Sequence, residues 1–471
     1  MSRTEYEIGM VGLGVMGRNL LLNMADNGYS VAGYDVDMTK VEALRREAEH
    51  RDIRGAGNLP EFASMLRSPR AVMMLVPAGP PVDGVIKDLL PHLAPGDLII
   101  DGGNSHFKDT DLRTSTLAQK GILYMGVGVS GGEHGARHGP SIMPGGTPEA
   151  YGRVRPVLEA VAAKADGEPC VTYLGGGSAG HYVKMVHNGI EYGLLELIAE
   201  TYDLMKRGLG LSDNELHTVY DTWNRSELKG YLMEITADIF CRGDDQTGKR
   251  LVDVILDEAK QKGTGKWTSQ DAMELQIPVP TVDMAVAMRD LSAFKAEREA
   301  ASRFLSGPPS EMHAGRAPFL RQLKQALYAA TIITYAQGMA QLQRASQVYG
   351  YGLNLEDVAR IWRAGCIIRA GVLAEIRAAY RAQPALPNLL VDPHLGRLIM
   401  DRQEALREVV KRAVESGIPA PGLAASLNYF DGYRSAWLPA NLIQAQRDYF
   451  GAHTYERIDA KGVFHTQWER E

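Results

Sequence analysis

The stretch Gly12-Leu13-Gly14-Val15-Met16-Gly17 decides the fold of the first third of this 471-residue chain. It follows a short apolar strand, Glu7–Val11, and opens a segment with helical spacing, Val15–Asp26. In a GxGxxG turn, the first glycine makes the bend, the second lets a pyrophosphate approach, and the third packs helix on strand. The motif therefore predicts a dinucleotide site at the helix amino terminus, although a tight glycine turn without a ligand has the same pattern.

Strand and helix signals alternate from this motif to residue 177. Further strands are predicted at Ser30–Tyr34, Ala71–Val76, Leu98–Asp101 and Ile122–Val127, with a helix at Asp109–Gln119. Such alternation predicts a parallel sheet covered by helices on both faces, an α/β Rossmann-like domain over residues 1–177. The glycine run before Ser178 marks its end, and Ser178 is a candidate helix cap.

Residues 178–434 show almost only helical spacing, which predicts a large all-α domain. It contains an internal helical repeat at an offset of roughly 140 residues. Gly210-Leu211-Ser212 resembles Gly352-Leu353-Asn354, and the stretch 230–235 resembles 371–376. Residues 435–471 form a third region, an extended tail that turns polar after His453. It is too short to fold alone, so we expect it to be frayed or to dock on a neighbouring subunit.

The overall composition favours a soluble globular protein, with 45% hydrophobic and 23% charged residues. The net charge is −6 without a basic block, so we expect neither nucleic acid nor a membrane as a partner. The three cysteines, Cys170, Cys241 and Cys366, are scattered. This pattern argues against disulfides or a zinc cluster and predicts a cytoplasmic location.

Asp35 closes the second predicted strand at the distance expected of a ribose-binding acid. A carboxylate there accepts from the 2′-hydroxyl of NAD and repels the 2′-phosphate of NADP. We therefore expect NAD to be preferred, with NADP weaker but possible because Lys40 is the nearest cation. Asp35 and Asp37 also suit a simple turn after a strand.

The segment Lys184–Tyr192 sets an amine, an amide and a carboxylate on one apolar helix. Lys184 and Asn188 share a face, and Glu191 follows one turn later. A lysine in such a site can have its pKa lowered enough to act as a base. Alone, the pattern also fits a core helix with a polar stripe.

These features together resemble one family, the decarboxylating 6-phosphogluconate dehydrogenases of the β-hydroxyacid dehydrogenase superfamily. The resemblance covers essentially the full length of the chain. It rests on Gly12–Leu20, Asp101–Ser105, Gly128–Glu133, Met143–Gly146, Lys184–Tyr192, Gln261–Trp267 and Ala445–His453.

The resemblance implies oxidation of 6-phosphogluconate by hydride transfer, followed by loss of CO2. Lys184 matches the family's base and later proton donor, and Glu191 matches the acid that protonates the enediol carbon. Asn188 and His187 would orient sugar hydroxyls and nicotinamide. No metal is implied, because the β-keto group is itself the electron sink.

The resemblance also assigns binding residues. Those implied for substrate are Asn104, Ser130, Gly131, Gly132, His187, Tyr192, Lys262, Arg289, Arg447 and His453. Those implied for cofactor are Gly12, Leu13, Gly14, Val15, Met16, Gly17, Tyr34, Asp35, Val36, Val76, Pro77, Ala78 and Asn104. In the family the tail enters the partner subunit of a homodimer, so Arg447 and His453 would serve the other subunit's site.

The chain departs from the family pattern around the cofactor. Many relatives have Asn-Arg-Thr at 35–37 and alanine at Gly14, and the arginine there holds the 2′-phosphate. Pro77 replaces a common lysine, and His106 a common glutamate. Two other functions fit the same residues: a dehydrogenase for another β-hydroxy acid, and a non-catalytic dinucleotide-binding protein.

Overall fold

The structure is a computed structural model that describes residues 5–312 and 315–468. The chain divides into two compact units, residues 1–426 and 427–471. The predicted domain limits, 1–177, 178–434 and 435–471, stay a prediction.

The first unit begins with a seven-stranded sheet in the order β3-β2-β1-β4-β5-β6-β7. Its strands are β1 (Ile8–Val11), β2 (Val31–Tyr34), β3 (Ile53–Gly55), β4 (Ala71–Met74), β5 (Leu98–Asp101), β6 (Leu123–Ser130) and β7 (Ser141–Pro144). All neighbours pair in parallel except β6 and β7, which are antiparallel. The Rossmann-like prediction is therefore confirmed. Strands β3 and β7 were not predicted.

Helices cover both faces of this sheet, and its strands are mostly apolar for that reason. They are α1 (Val15–Asp26), α2 (Met38–Glu47), α3 (Leu59–Ser64), α4 (Pro80–Leu89), α5 (Phe107–Ala118), α6 (Gly132–His138) and α7 (Pro148–Val161). One core contains Met10, Met73 and Ile100. The opposite core contains Val72 and Ile99, the neighbours of these residues in sequence. A short hairpin, β8 (Lys164–Ala165) and β9 (Glu168–Pro169), follows.

The rest of the first unit is helical, as predicted. Its α-helices are α8 (Ala179–Asp203), α9 (Asp213–Asn224), α10 (Tyr231–Cys241), α11 (Thr264–Glu274), α12 (Pro280–Ser292), α13 (Lys295–Ala301), α14 (Arg316–Tyr349), α15 (Leu355–Ile361), α16 (Val372–Ala382), α17 (Pro393–Met400), α18 (Gln403–Glu415) and α19 (Pro421–Tyr433). Short 3-10 segments lie at Leu90–His92, Leu251–Val254 and Leu389–Val391, and a π-turn at Leu204–Gly208 follows α8. No helix in the described part of the chain is long and apolar enough to cross a bilayer.

The two similar stretches of sequence have the same local structure. Ser212 caps α9 through the backbone N–H of Glu215, and Asn354 caps α15 in the same way. Helices α10 and α16 then begin after Gly230 and Gly371. The two copies also meet, because the Tyr231 N–H donates to Arg369 O and the Gly371 N–H donates to Lys229 O. The predicted repeat therefore corresponds to two similar helical units.

The second unit has its own buried polar centre. It contains the end of α19, helix α20 (Ala440–Gly451) and a hairpin of β10 (Tyr455–Glu456) and β11 (Val463–Phe464). The Asp448 carboxylate is fully buried and accepts from the N–H groups of Thr454 and Thr466 and from Trp468 Nε1. His465 Nδ1 lies 2.9 Å from the same carboxylate. These bonds order the tail through Trp468.

Candidate active site

Helix α8 carries the central polar residues and lies directly against strand β6. A Cβ added to Gly128 would lie 2.4 Å from Lys184 Cβ, and one added to Gly180 would lie 2.3 Å from Gly126 O. Real Cβ atoms do not approach so closely, so only glycine permits this contact. The glycines therefore fix the position of Lys184 relative to the sheet.

The amino terminus of α8 is held by an aspartate from α5. Asp111 accepts from the backbone N–H and from the hydroxyl of Ser178, the residue before the helix. The Ser178 hydroxyl lies 2.9 Å from that of Tyr351. Ser178 does occupy the cap position, but its side chain makes no capping bond to the helix. The capping expectation was therefore wrong in its mechanism, because the Ser178 hydroxyl is directed to Asp111 and Tyr351 and accepts from no N–H group of the first turn.

Four side chains of α8 form a connected polar cluster. Lys184 Nζ donates to Asn188 Oδ1 at 2.7 Å and lies 3.3 Å from His187 Nδ1. The two ring nitrogens of His187 lie 3.0 Å from Asn188 Oδ1 and 3.3 Å from Ser130 Oγ. Glu191 Oε2 is 4.0 Å from His187 Nδ1. The sequence-predicted residues Lys184, His187, Asn188 and Glu191 are thus brought together.

Burial shifts the proton affinities of this cluster. It lowers the pKa of Lys184 from its ordinary value, although the Glu191 carboxylate opposes the shift. Burial, followed by the Lys184 charge, holds the pKa of His187 well below its usual range, so the imidazole is neutral. Burial raises the pKa of Glu191, against the effect of Lys184 and Arg289. A less basic amine therefore lies near a less acidic carboxyl, a pairing suited to proton transfer near neutral pH.

The cluster opens into a groove of about 910 Å³. This volume is in the upper part of the range of ligand pockets. The lining residues are Gly14, Val15, Met16, Gly17, Leu75, Val76, Pro77, Ala78, Gly102, Gly103, Asn104, Val129, Asn188, Glu191, Tyr192, Lys260, Gln261, Lys262, Thr264 and Arg289.

The glycine turn at one end of the groove fits a dinucleotide. A Cβ on Gly17 would lie 1.9 Å from Gly12 O, and Gly12 has a φ of +94° with Leu75 O close by. A Cβ on Gly14, in contrast, would meet nothing within 4 Å. Gly14 borders the groove, so the absent side chain leaves room for a phosphate at the start of α1.

The second part of the predicted nucleotide site lies at the end of β2. Asp35 is buried, and its carboxylate accepts from the backbone N–H groups of Leu13 at 2.7 Å and Asp37 at 2.9 Å. Lys40 Nζ lies 3.4 Å away. Tyr34 and Val36 flank Asp35 and are not among the residues that line the groove; the Val36 side chain is exposed. The Asp35 oxygens therefore already have partners, Leu13 in the glycine turn and Asp37 in the loop after β2.

Cations also line the groove. Lys262 and Arg289, which the resemblance assigns to the substrate, are among the lining residues. The Arg289 guanidinium lies 3.5 Å from the ring centre of Tyr192, which fixes the direction of the arginine side chain. Lys260, which the sequence analysis did not single out, contributes a third cation to the lining.

The substrate residues that the resemblance assigned at Asn104 and at 130–132 lie in two places. Ser130 ends β6 and its hydroxyl faces His187, while Asn104 lines the groove. Gly131 and Gly132 line a neighbouring depression with His134 and His138. Their positive φ angles, +108° and +60°, turn the chain from β6 into α6. A role for these two glycines in substrate binding stays a prediction.

Arg447 and His453 belong to the second unit. They lie at the carboxyl end of α20, where the His453 N–H donates to Arg447 O at 3.5 Å. Arg447 Nη1 also donates to Gln444 Oε1. These two residues, which the resemblance assigned to substrate binding, therefore lie near each other within their unit.

Sequence reasoning missed several residues of this site. Thr264 begins α11 and accepts from Asn188 Nδ2 at 3.2 Å, which fixes the amide that Lys184 contacts. Lys260 and Gln261 complete the lining beside Lys262. The quoted stretch from Gln261 to Trp267 was a signal for this loop, but only Lys262 was taken from it. Among the described residues, no group of three or more His, Cys, Asp or Glu side chains is placed to hold a metal ion.

A glycine-turn groove that adjoins a buried lysine, an amide and a carboxyl defines a nicotinamide-dependent dehydrogenase with a Rossmann-like domain. Comparison with known proteins gives the family. Residues 7–175 match the family model described as the NAD binding domain of 6-phosphogluconate dehydrogenase, and residues 180–468 match its C-terminal domain. The chain belongs to the 6-phosphogluconate dehydrogenase family, which confirms the resemblance.

Individual relatives match over nearly their whole length. A Bacillus subtilis (strain 168) protein, named 6-phosphogluconate dehydrogenase, NADP(+)-dependent, decarboxylating, is 51% identical over 99% of both chains. A Synechococcus elongatus protein, named 6-phosphogluconate dehydrogenase, decarboxylating, is 54% identical over 98% of this chain and 99% of its own. A solved Plasmodium falciparum 6-phosphogluconate dehydrogenase has a TM-score of 0.93 and 43% identity, covering 98% of this chain and 100% of its own. This chain is accordingly a decarboxylating oxidoreductase of the family.

These comparisons correct one prediction. The expectation that NAD is the preferred cofactor was wrong: the Bacillus relative is named as NADP(+)-dependent, and the Plasmodium enzyme is described in complex with NADP+. The physical reason lies in the bonds of Asp35. Its carboxylate is engaged by two backbone N–H groups and faced by Lys40, so the simple rule for a free acid at this position does not apply.

Proposed function

We propose that this chain converts 6-phosphogluconate to ribulose 5-phosphate and CO2 with NADP as hydride acceptor. One observation supports this most: the Lys184, Asn188 and Glu191 side chains adjoin a groove that is lined by a glycine turn and by three cations. The bound cofactor supplies the acceptor for the hydride that leaves C3 of the substrate.

Lys184 acts first as a base. Its lowered pKa gives a larger neutral fraction near neutral pH, which can take the proton of the C3 hydroxyl as the hydride leaves. Asn188 Oδ1 accepts from the amine and Thr264 accepts from the Asn188 amide, so the nitrogen is held in one direction. The oxidised substrate is a 3-keto acid, and the proton stays on Lys184.

Lys184 and Glu191 then act as acids. Lys184 returns its proton to the C3 oxygen while the bond from C1 to C2 breaks, and CO2 leaves with an enediol as the other product. Glu191 protonates the carbon that had carried the carboxylate, and the enediol hydroxyl proton returns to Lys184. The raised pKa of Glu191 keeps a larger fraction of this carboxyl protonated for that step.

The substrate's two anionic ends need different partners. We assign the phosphate to Lys262 and Arg289, with Lys260 as a further cation and the Tyr192 hydroxyl as a donor. Arginine suits this role because its planar fork matches phosphate oxygens. Asn104, Ser130, Gly131, Gly132 and His187 are assigned to the carboxylate and sugar hydroxyls. Separate cationic and neutral sites would set the orientation of the substrate.

We assign the cofactor to the glycine turn and its neighbours. Gly12–Gly17 would hold the pyrophosphate, and Val76, Pro77, Ala78 and Asn104 would border the nicotinamide half. Lys40 is exposed and lies beside Asp35, so it can face a 2′-phosphate once its contact with that carboxylate loosens. This assignment gives Lys40 the role that an arginine has in many relatives.

The decisive measurement is kcat/KM for 6-phosphogluconate with NADP and with NAD, following reduced cofactor and CO2 together. We expect equimolar NADPH and CO2 and a higher kcat/KM with NADP. Reduction without CO2 would indicate another β-hydroxy acid dehydrogenase. Tight cofactor binding without turnover would indicate a non-catalytic protein.

We also propose a homodimer in which the second unit completes the partner's site. Large apolar side chains of this unit are exposed in the single chain, as expected of a surface that is buried in an assembly. They are Trp437, Leu438, Leu442, Ile443, Tyr449 and Phe450. In this arrangement Arg447 and His453 would reach the phosphate of the substrate bound to the other subunit.

A complementation experiment tests this exchange. One variant carries Lys184→Met, and the other carries Arg447→Met and His453→Asn. If the tail serves the partner, a mixed dimer contains one fully native site, so unfolding and refolding an equal mixture restores activity that neither variant has alone. If each tail serves its own subunit, every site in the mixture is defective and activity stays low. If the tail serves the partner, truncation after Arg434 should also raise KM for 6-phosphogluconate.

A further inference from the structure

A buried polar cluster lies behind the groove and does not line it. It consists of Asp101, Ser105, Arg113, Tyr124 and His181, and we call it the Asp101 network. Each member is buried to at least nine-tenths. Apolar residues of similar volume would give comparable stability at lower desolvation cost. Stability alone therefore does not explain this buried ion pair, and its role is sought in how it positions the neighbouring loops.

Asp101 ends β5 and holds the loop that follows it. One carboxylate oxygen accepts from the Gly103 N–H at 3.0 Å. The other accepts from the hydroxyls of Ser105 at 2.6 Å and Tyr124 at 3.0 Å. The residues on both sides of Asn104 are therefore fixed to one carboxylate, while Asn104 itself is exposed to the groove.

Arg113 connects this loop to a second one. From α5, its guanidinium lies 3.7 Å from the Asp101 carboxylate and donates to Ser105 Oγ at 3.3 Å. Its other nitrogens donate to Gly79 O at 3.2 Å and to Asp83 at 2.7 Å. Gly79 directly follows Val76–Ala78, which line the groove. One planar group therefore sets the separation of the loops 76–79 and 101–105.

His181 links the same loop to the catalytic helix. Its Nε2 lies 3.0 Å from Asp101 O, and its Nδ1 lies 2.7 Å from the Thr110 hydroxyl. A carbonyl only accepts, so Nε2 carries the proton and Nδ1 accepts from Thr110. Burial lowers the pKa of His181, which agrees with this neutral form. Lys184 follows on α8 three residues later, on the same helix face.

We propose that Arg113 is a positioning residue that sets the width of the nicotinamide end of the groove. Through Asp101 and His181, Arg113 also sets the position of this end relative to Lys184. This proposal rests on the proposed function, since it assumes a dinucleotide between the two loops. Lysine keeps the charge of arginine but has no planar fork and cannot reach four acceptors in fixed directions. Arg113→Lys should therefore shift the loops without removing the ion pair.

The other end of strand β5 supplies a matched control. Arg70 donates to Ala63 O and to the buried carboxylate of Asp97, which precedes the strand. This pair is of the same kind and lies in the same sheet, but at the amino ends of the strands. Ligands of parallel α/β sheets bind at the carboxyl ends. Arg70→Lys should thus affect stability alone.

The experiment measures Tm, the Kd of NADP without substrate, kcat, and the deuterium isotope effect on kcat with substrate deuterated at C3. Both variants should lose stability. Only Arg113→Lys should raise the Kd of NADP about tenfold, lower kcat by about the same factor, and increase the isotope effect, because small misplacements slow hydride transfer. Ser105→Ala, which removes the contacts of one hydroxyl with Asp101 and Arg113, should change the same quantities about threefold.

The proposal is overturned if Arg113→Lys behaves like Arg70→Lys, with a lower Tm but native Kd and isotope effect. If Arg113→Lys does not fold, Ser105→Ala decides, and a native Kd and isotope effect in that variant overturn the proposal. Failure of the proposed function is distinguishable, because the wild-type protein would then show no turnover while the Kd comparison still tests Arg113.

Discussion

Two groups of basic residues at the groove lie in opposite environments. In the polar cluster of α8, Lys184 is 5% exposed and His187 is fully buried. In the cationic lining of the groove, Lys260 and Lys262 are exposed to solvent, and Arg289 is half-buried against Tyr192. Burial shifts the pKa of a cation downward, because the charged form loses its hydration. The buried cluster can therefore transfer protons, and the cationic lining can attract an anion.

The largest expected effect comes from removing the buried amine. Lys184→Met should lower kcat by about a thousandfold or more, the contribution of a well-placed general acid and base. The Kd of NADP should change less than about twofold, because Lys184 is not among the residues that line the groove at the glycine turn. Stopped-flow reduction of NADP and fluorescence titration measure the two quantities.

Lys324→Met is the matched control for this change. Lys324 pairs with Glu227 at 2.9 Å and does not line the groove. It should keep native kcat and Kd. Retained turnover in Lys184→Met would show that Lys184 is not the base. It would also contradict the assignment of proton transfer to the buried cluster.

In the cationic lining of the groove, Arg289→Met should affect substrate binding and not the chemical step. A lost hydrogen-bonded contact to a charged group costs about 1.5–3 kcal/mol, so KM for 6-phosphogluconate should rise roughly 10- to 100-fold. The change in kcat should be smaller. Arg402→Met, which removes an arginine from the ring of Tyr328 outside the groove, is the control. If Arg289→Met lowered kcat and kcat/KM equally, the cationic lining would act only in the transition state, which would contradict this prediction.

The last prediction concerns stability along α8 and not activity. Burial raises the pKa of Glu200 to about 8, although its carboxylate accepts from the N–H groups of Gly422 and Leu423. A folded-state pKa above the unfolded value means that the folded state binds more protons, so stability falls as pH rises from about 4.5 to about 8. This group alone should account for a loss of up to about 5 kcal/mol.

Glu200→Gln should remove that part of the pH dependence. Urea unfolding at pH 5.5 and pH 8.5 compares the free energy of unfolding of wild type, Glu200→Gln and the exposed control Glu404→Gln. A pH slope in Glu200→Gln equal to that of the control would contradict the shift assigned to Glu200.

The strand and helix pattern of the sheet could be read from the sequence because buried parallel strands are apolar along their whole length. The extents were less certain. Strand β6 continues to Ser130, beyond its predicted end at Val127. Strand β7 was missed because its sequence, Ser141–Pro144, ends in a proline. Pairing with β6 stabilises such a segment, and pairing is a tertiary interaction.

Asp35 and Asp101 show why a similar signal led to different outcomes. Both aspartates follow apolar strands, and each accepts from a backbone N–H two residues later. Asp35 was interpreted as a ribose ligand because of its distance from the glycine turn, while Asp101 received no role. The side chains around each carboxylate explain the difference. Lys40 faces Asp35, whereas Asp101 is surrounded by Arg113, Ser105 and Tyr124. Lys40 and Ser105 are near these aspartates in sequence, but Arg113 and Tyr124 come from other elements and cannot be inferred from spacing.

The sequence by itself determined the Rossmann-like domain, the helical repeat, and the shared face of Lys184, Asn188 and Glu191, because helical and strand periodicity are local properties. It also determined the family. Only the tertiary structure decided which charges are buried, that Thr264 holds Asn188, and that Arg113 joins two loops from behind the groove. Those features depend on segments far apart in the chain, and burial, the cause of the pKa shifts, exists only once they have packed.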